Sequence, residues 1–110
     1  MKLGIKKFNN PIFALEEAEK AIGMQILDEI DEDTCMVFPY ETSQSLAFHM
    51  AKVKFPIDMI FCDKNKVVKI FANIQPNDKT IYKQYGDCVV ETMGGLCDKY
   101  GIKEGSKFII

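Results

Sequence analysis

The chain reads as an α+β domain, mostly β. The expected architecture is a small barrel-like sheet, antiparallel or mixed, with one longer N-terminal helix and one short helix. Three observations predict it. From Thr34 onward, short apolar runs recur between polar clusters rich in Asn, Asp, Gly and Pro, the pattern of strands joined by turns. Apolar residues at helical spacing are confined to residues 11–22. Finally, 110 residues, 47% of them hydrophobic and 27% charged, make one globular domain, 1–110, able to bury its own core.

Taken in order, residues 2–8 alternate loosely through Leu3 and Ile5 and read as an edge strand. Asn10 then stands as an N-cap before Pro11, whose missing N–H costs nothing in the first turn of a helix. Phe13, Leu15, Ala18, Ala21 and Ile22 form a helical stripe, Glu16 and Lys20 pair across one turn, and Gly23 ends the helix. The acidic run DEIDEDT lacks the central Gly and closing Glu of a calcium loop and reads as a solvated turn. TCMVFPY is an apolar strand ended by Pro39. SLAFHMA is a second, with Phe48 and Met50 on one face and Ala47 and His49 on the other. PIDMIFC and VVKIFANI flank the polar DKNK, which predicts a hairpin over residues 57–73 turning at Lys64-Asn65. QPNDKTIYKQYGD is polar and turn-rich, and CVVETM is a fifth strand broken by Gly94 and Gly95. LCDKY is a short helix stopped by Gly101, and SKFII is the last strand.

Composition narrows the function classes. The net charge is −2, and every basic residue is lysine, so neither the basic surplus of a nucleic-acid face nor the bidentate fork of arginine is present. No apolar run is long enough to span a bilayer. MKLGIKKFNN lacks the apolar stretch of a signal peptide, which leads us to expect a cytoplasmic or otherwise reducing compartment. Cys35, Cys62, Cys88 and Cys97 form no C-x-x-C pair and have no His at zinc-ligand spacing. They read as small buried hydrophobes, reduced and free of metal, and no cofactor is expected.

Several stretches match a known pattern in order and spacing: CMVF, FHM with PIDMIF after it, VVKI, VVET followed by Gly94 and Gly95, and YGIKEGSKF. In these the chain resembles the domain-of-unknown-function family 192, also called the uncharacterised conserved ACR family, over nearly its whole length. The resemblance implies a compact, β-rich domain with a barrel-like sheet and one or two helices, and no known enzyme activity. It carries Pro56-Ile57-Asp58, Glu91 and residues 101–105. The family's Trp-Met-Lys-Asn-Thr segment is replaced here by His49, Met50, Ala51, Lys52 and Val53, and its Gly-Leu-Met-x-Arg by Gly23 and the four residues after it. Any pocket built from the family's Trp, Asn and Arg is altered in this chain.

The candidate ligand-binding residues are His49, Met50, Lys52, Asp58 and Glu91. His49, the single histidine, reads either as a hydrogen-bonded strand residue or as a general base oriented by a carboxylate. Asp58 and Glu91 are carboxylates inside apolar strands. An unpartnered charge there is costly, so each is either a hydrogen-bond hub for backbone amides or part of a polar site, and two such groups close together would push one pKa upward. No nucleophile elbow surrounds Ser43 or Ser45. The expected function is a non-catalytic binding or interaction module for a small polar molecule, a saccharide or a protein. A partner, or a second copy in a homo-oligomer, would dock on an apolar patch at His49, Ala51 and Val53. The alternative is a small acid–base or hydrolase-like enzyme using His49 with Asp58 or Glu91. Convergence of those three side chains in one pocket separates the two.

Overall fold

The computed structural model describes all 110 residues. In chain order its elements are β1 (Lys2–Leu3), β2 (Lys6–Lys7), β3 (Asn10–Phe13), α1 (Glu17–Ile22) with a 3-10 turn over Gly23–Ile26, β4 (Thr34–Phe48), β5 (Ile57–Asp63), β6 (Lys66–Ile74), β7 (Tyr82–Met93), α2 (Leu96–Tyr100) and β8 (Phe108–Ile109). No helix is long and apolar enough to cross a membrane.

The strands form a five-stranded mixed sheet, ordered β3-β4-β7-β5-β6, and a three-stranded sheet, ordered β2-β1-β8. The fold is thus α+β and mostly β, but it is not the expected barrel. Closure requires the two edge strands to pair. Here the edges are β3 and β6, which are not neighbours, and the four residues of β3 cover only the first part of the fifteen-residue β4.

The central strands explain the continuous apolar runs. β5 is flanked by β6 and β7, and Ile57 through Cys62 are buried, so both faces of the strand meet core. Successive residues feed two separate clusters. Cys35, Val37, Ile60, Cys62, Cys88 and Val90 face Leu3, Phe8, Leu96, Cys97, Ile102 and Phe108. Met36, Phe38, Met59, Phe61 and Val89 face the opposite side, with Met24, Met50 and Val53. On that second side a row of aromatic rings, Phe38, Phe48, Phe61, Phe71 and Tyr82, packs with centroids 4.8–5.9 Å apart, mostly edge to face.

The hairpin β5–β6 forms as predicted. Asp63 pairs with Lys66 across Lys64 and Asn65, whose φ angles of 50° and 67° are those of a tight two-residue hairpin turn. Helix α2 also forms where the sequence places it, with Gly101 at its end.

Four segments differ from the sequence expectation. The N-terminal helix is only Glu17–Ile22, and Asn10–Phe13 is instead a strand parallel to β4. Tertiary pairing overrides the capping signal: the Asn10 side-chain amide donates to Thr34 Oγ1 at 3.1 Å rather than capping a helix. The cap comes from Glu19, whose Oε1 accepts from the Leu15 and Glu16 amides at 3.1 and 2.9 Å. No residue of α1 is buried, so the expected stripe is not a core face, and the anchor is Met24 just beyond it. Second, residues 2–8 fold into the β1–β2 hairpin with Ile5 exposed at its tip. Third, Pro39 does not end its strand. β4 runs on to Phe48 through an irregularity in the ladder between Pro39 and Gln44, where a strand without a proline N–H can bulge. Fourth, β7 begins at Tyr82, earlier than CVVETM suggested, because Gln44 through Phe48 supply partners for its polar first half.

Where the ladder irregularity faces Gly86, the chain comes unusually close to β5. A Cβ at Gly86 would lie 2.5 Å from the Cys62 carbonyl oxygen, so only glycine fits there.

Candidate functional site

Asp58 is fully buried in β5. It shares the sheet face of Ile60 and Cys62 and reaches the start of α2. Its Oδ1 accepts from the Asn73 amide at 2.7 Å and the Gly95 amide at 2.9 Å, and its Oδ2 from the Cys97 amide at 2.8 Å. One carboxylate therefore ties together β5, the end of β6 and the first turn of α2. Negative charge at a helix N-terminus is favoured, and three N–H donors satisfy most of its acceptor capacity. Asp58 is the backbone-amide hub that its position in an apolar strand suggested.

Glu91 is the opposite case. It pairs in register with Met36 on β4 and Met59 on β5, which places it on the other face of the sheet. The residue is only 3% exposed, yet no protein group donates a hydrogen bond to its carboxyl. Burial pushes its pKa up to about 8. The side chain lines a cleft of about 240 Å³ between the sheet and α1. Phe38, Tyr40, Phe48, Met24 and Val53 supply aromatic and apolar wall, and Glu17, Lys20, Gln25 and His49 add the polar groups. The Lys20 ammonium stands 4.0 Å from the centroid of the Tyr40 ring. Gly23, at φ 53°, closes α1 beside Phe38, and a Cβ there would touch the ring at 3.4 Å.

The predicted site residues are distributed as follows. His49 and Glu91 line the same cleft. Asp58 does not, because it lies on the other face of the sheet, so the three side chains do not converge in one cleft. His49 is exposed and lies just after β4, with its Nδ1 accepting from the Ala51 amide at 3.2 Å. Met50 is fully buried in the apolar cluster and offers no ligand contact. Lys52 is exposed at φ 61° and lines a separate shallow groove with Asn77, Asp78 and Lys79, a groove that shares His49 and Ala51 with the cleft. The three residues of the expected docking patch, His49, Ala51 and Val53, all line the cleft, with Val53 only 7% exposed at its apolar wall.

The sequence reading missed Phe38, Tyr40, Phe48 and Lys20 as cleft residues. The only signal of the three aromatic residues was ring content in strands already assigned to packing, and Lys20 read as the outer partner of Glu16 on a helix. No three His, Cys, Asp or Glu side chains converge to hold a metal ion. The four cysteines are buried and unbridged. Burial raises Cys35 and Cys88 to about 12 and raises Cys62 and Cys97 as well, which removes them from thiolate chemistry.

Among curated proteins, none matches this chain. Two crystal structures are similar. One is a protein of unknown function from Novosphingobium aromaticivorans DSM 12444, 31% identical, with a TM-score of 0.83 over 88% of this chain and 71% of that one. The other, provisionally named a transcription regulator, comes from Sinorhizobium meliloti 1021; at 19% identity and a TM-score of 0.84, over 88% of this chain and 78% of that one, it shares the fold. The family pattern covers residues 6–110, and the chain therefore belongs to the domain-of-unknown-function family 192 (DUF192, uncharacterized ACR).

Proposed function

We propose that this protein is a binding module that holds one small polar molecule in the cleft floored by Glu91. One observation carries the reading: a carboxyl group on a residue only 3% exposed, without a protein hydrogen-bond partner, that lines that cleft. Leaving such a group unpaired is costly, and a ligand that hydrogen-bonds it removes the cost. Glu91 therefore orients the ligand, while Phe38, Tyr40 and Phe48 supply contact area. The volume, about 240 Å³, falls below the ~300–1,000 Å³ of drug-sized sites, so the occupant is a single small molecule rather than an oligosaccharide.

A thermal-shift screen of small polar compounds tests this, since a ligand present at about 100 times its Kd stabilises by about 2.7 kcal/mol whatever its chemistry. The expected hits stabilise the wild type but not Ala21→Trp, in which a bulky ring is placed on the cleft wall. Hits unaffected by that substitution, or no hits, sink the reading.

A second reading has one observation in its favour. His49 and Glu91 line the same cleft, and a carboxyl at about 8 is suited to act as a general acid near neutral pH. Steady hydrolysis of an ester, phosphate, peptide or glycoside, lost in a folded His49→Ala variant, would establish it over binding alone.

A further inference from the structure

We propose that the Glu91 cleft recognises a small organic ammonium ion, with the cationic head against the Glu91 carboxylate and its alkyl groups against the Phe38, Tyr40 and Phe48 rings. The proposal rests on the binding reading above and names its ligand class.

Three observations converge on a cation. First, Glu91 is an acid with no cation and no donor of its own: no salt bridge and no hydrogen bond reaches it. A fixed positive charge is the partner that relieves a buried carboxylate most fully. Second, the walls are rings. Aromatic faces carry negative potential and attract ammonium groups within about 6 Å of the centroid. The cleft already shows this preference, because the Lys20 ammonium rests 4.0 Å from the Tyr40 centroid at its edge. Third, the wall chemistry is wrong for the other classes. An anion would find one ammonium, Lys20, already resting on the Tyr40 ring, against the two carboxyls of Glu17 and Glu91, and a polyol would set most of its hydroxyls against Phe38, Phe48, Met24 and Val53, which cannot hydrogen-bond them.

The titratable groups lining the cleft are Glu17 and Lys20 on α1, Tyr40 on β4, His49 after β4 and Glu91 on β7. Burial raises both Glu91, to about 8, and Tyr40. Ammonium binding therefore displaces the Glu91 proton, whereas a neutral ligand leaves it in place.

The probes are choline, its uncharged isostere 3,3-dimethylbutan-1-ol, and glucose. Each is titrated into the protein at pH 7 and pH 9 by calorimetry, with NMR shifts to locate binding. Choline carries a fixed charge and has no titration of its own in this range. The expected result is choline binding that shifts Phe38 and Phe48 resonances, with an affinity about tenfold higher at pH 9 than at pH 7 as the ionised fraction of Glu91 rises. Glu91→Gln is expected to abolish that pH dependence. The wild-type comparison of choline with its isostere stands even if the variant fails to fold. Equal or tighter binding of the isostere, or cleft binding of glucose alone, overturns the cation class but leaves the binding reading intact. Choline shifts confined to residues outside the cleft, or no binding of any probe, overturn the cation class; the binding reading then stands or falls on its own screen.

Discussion

Asp58 and Glu91 lie on adjacent antiparallel strands, one register position apart, and point to opposite faces of the same sheet. Asp58 is opposite Thr92 and Glu91 is opposite Met59. Two carboxylates that the sequence could only describe as buried, and as a potential pair, thereby acquire unrelated roles. Asp58 is enclosed by three backbone donors, and Glu91 opens into a cleft with none. They cannot share a proton through a sheet that their own strands build.

Asp58→Ala should be strongly destabilising. It leaves the amides of Asn73, Gly95 and Cys97 without their acceptor, and each unsatisfied buried donor costs about 1–3 kcal/mol. Allowing for relaxation, the expected loss in urea or guanidinium unfolding is about 3–5 kcal/mol. Asn keeps one acceptor oxygen and should lose roughly half as much. An alanine variant as stable as the wild type would remove the hub role.

Glu91 makes stability depend on pH with a definite sign. Its folded pKa, about 8, lies above the ordinary carboxylate value, so the folded state holds the proton more tightly than the unfolded chain does. That contribution is complete below about pH 4, falls as pH rises, and is lost above about pH 8. Glu91→Gln mimics the protonated form and lacks the dependence. Chemical denaturation at pH 5 and pH 9 should show the wild type losing a few kcal/mol relative to Glu91→Gln, on the order of 1.4 kcal/mol per pH unit within the window. Parallel curves for the two proteins would contradict it.

Gly86→Ala should be among the most damaging single-methyl additions in the chain. The new Cβ would lie 2.5 Å from a backbone carbonyl of the neighbouring interior strand β5, which cannot swing aside as a side chain would. The expected cost is about 2–4 kcal/mol, with a melting temperature lowered accordingly. Gly105→Ala makes a useful contrast. Nothing lies within 4 Å of that Cβ, and its penalty is confined to the positive φ of 90°. Equal losses at the two positions would show that packing against Cys62 is not the cause at Gly86.

The thiols should be silent until the protein opens. All four cysteines are buried in one cluster, and burial raises their pKa values. A thiol reagent should therefore react slowly with the native protein and find four thiols in denaturant without reductant. Rapid native reaction, or fewer thiols before reduction than after it, would contradict the buried, unbridged assignment.

The sequence by itself determined those features whose causes are local. The β5–β6 hairpin follows from two apolar runs and an Asn-containing turn, the ends of α2 from its flanking glycines, and the buried thiols from their apolar neighbours. For Asp58 the sequence left two roles open, a hydrogen-bond hub or part of a polar site, because a carboxylate in an apolar strand must find partners, and the three amides of the folded chain decide for the hub. What only the tertiary structure decided depends on partners distant in sequence. Asn10–Phe13 carries a sound helix-start signal, yet it pairs with Thr34–Val37 because a parallel ladder on the sheet edge outweighs one cap. Pro39 looks like a strand end until Cys88 and Gly86 on β7 bridge the irregularity beyond it. The cleft is the clearest case. Glu91, Tyr40, Phe48 and Lys20 belong to three different elements, and no spacing along the chain records that α1 lies over that part of the sheet. Strand alternation states that neighbouring residues face opposite sides; which side is core and which is cleft is set by what packs there, and that is a property of the folded chain alone.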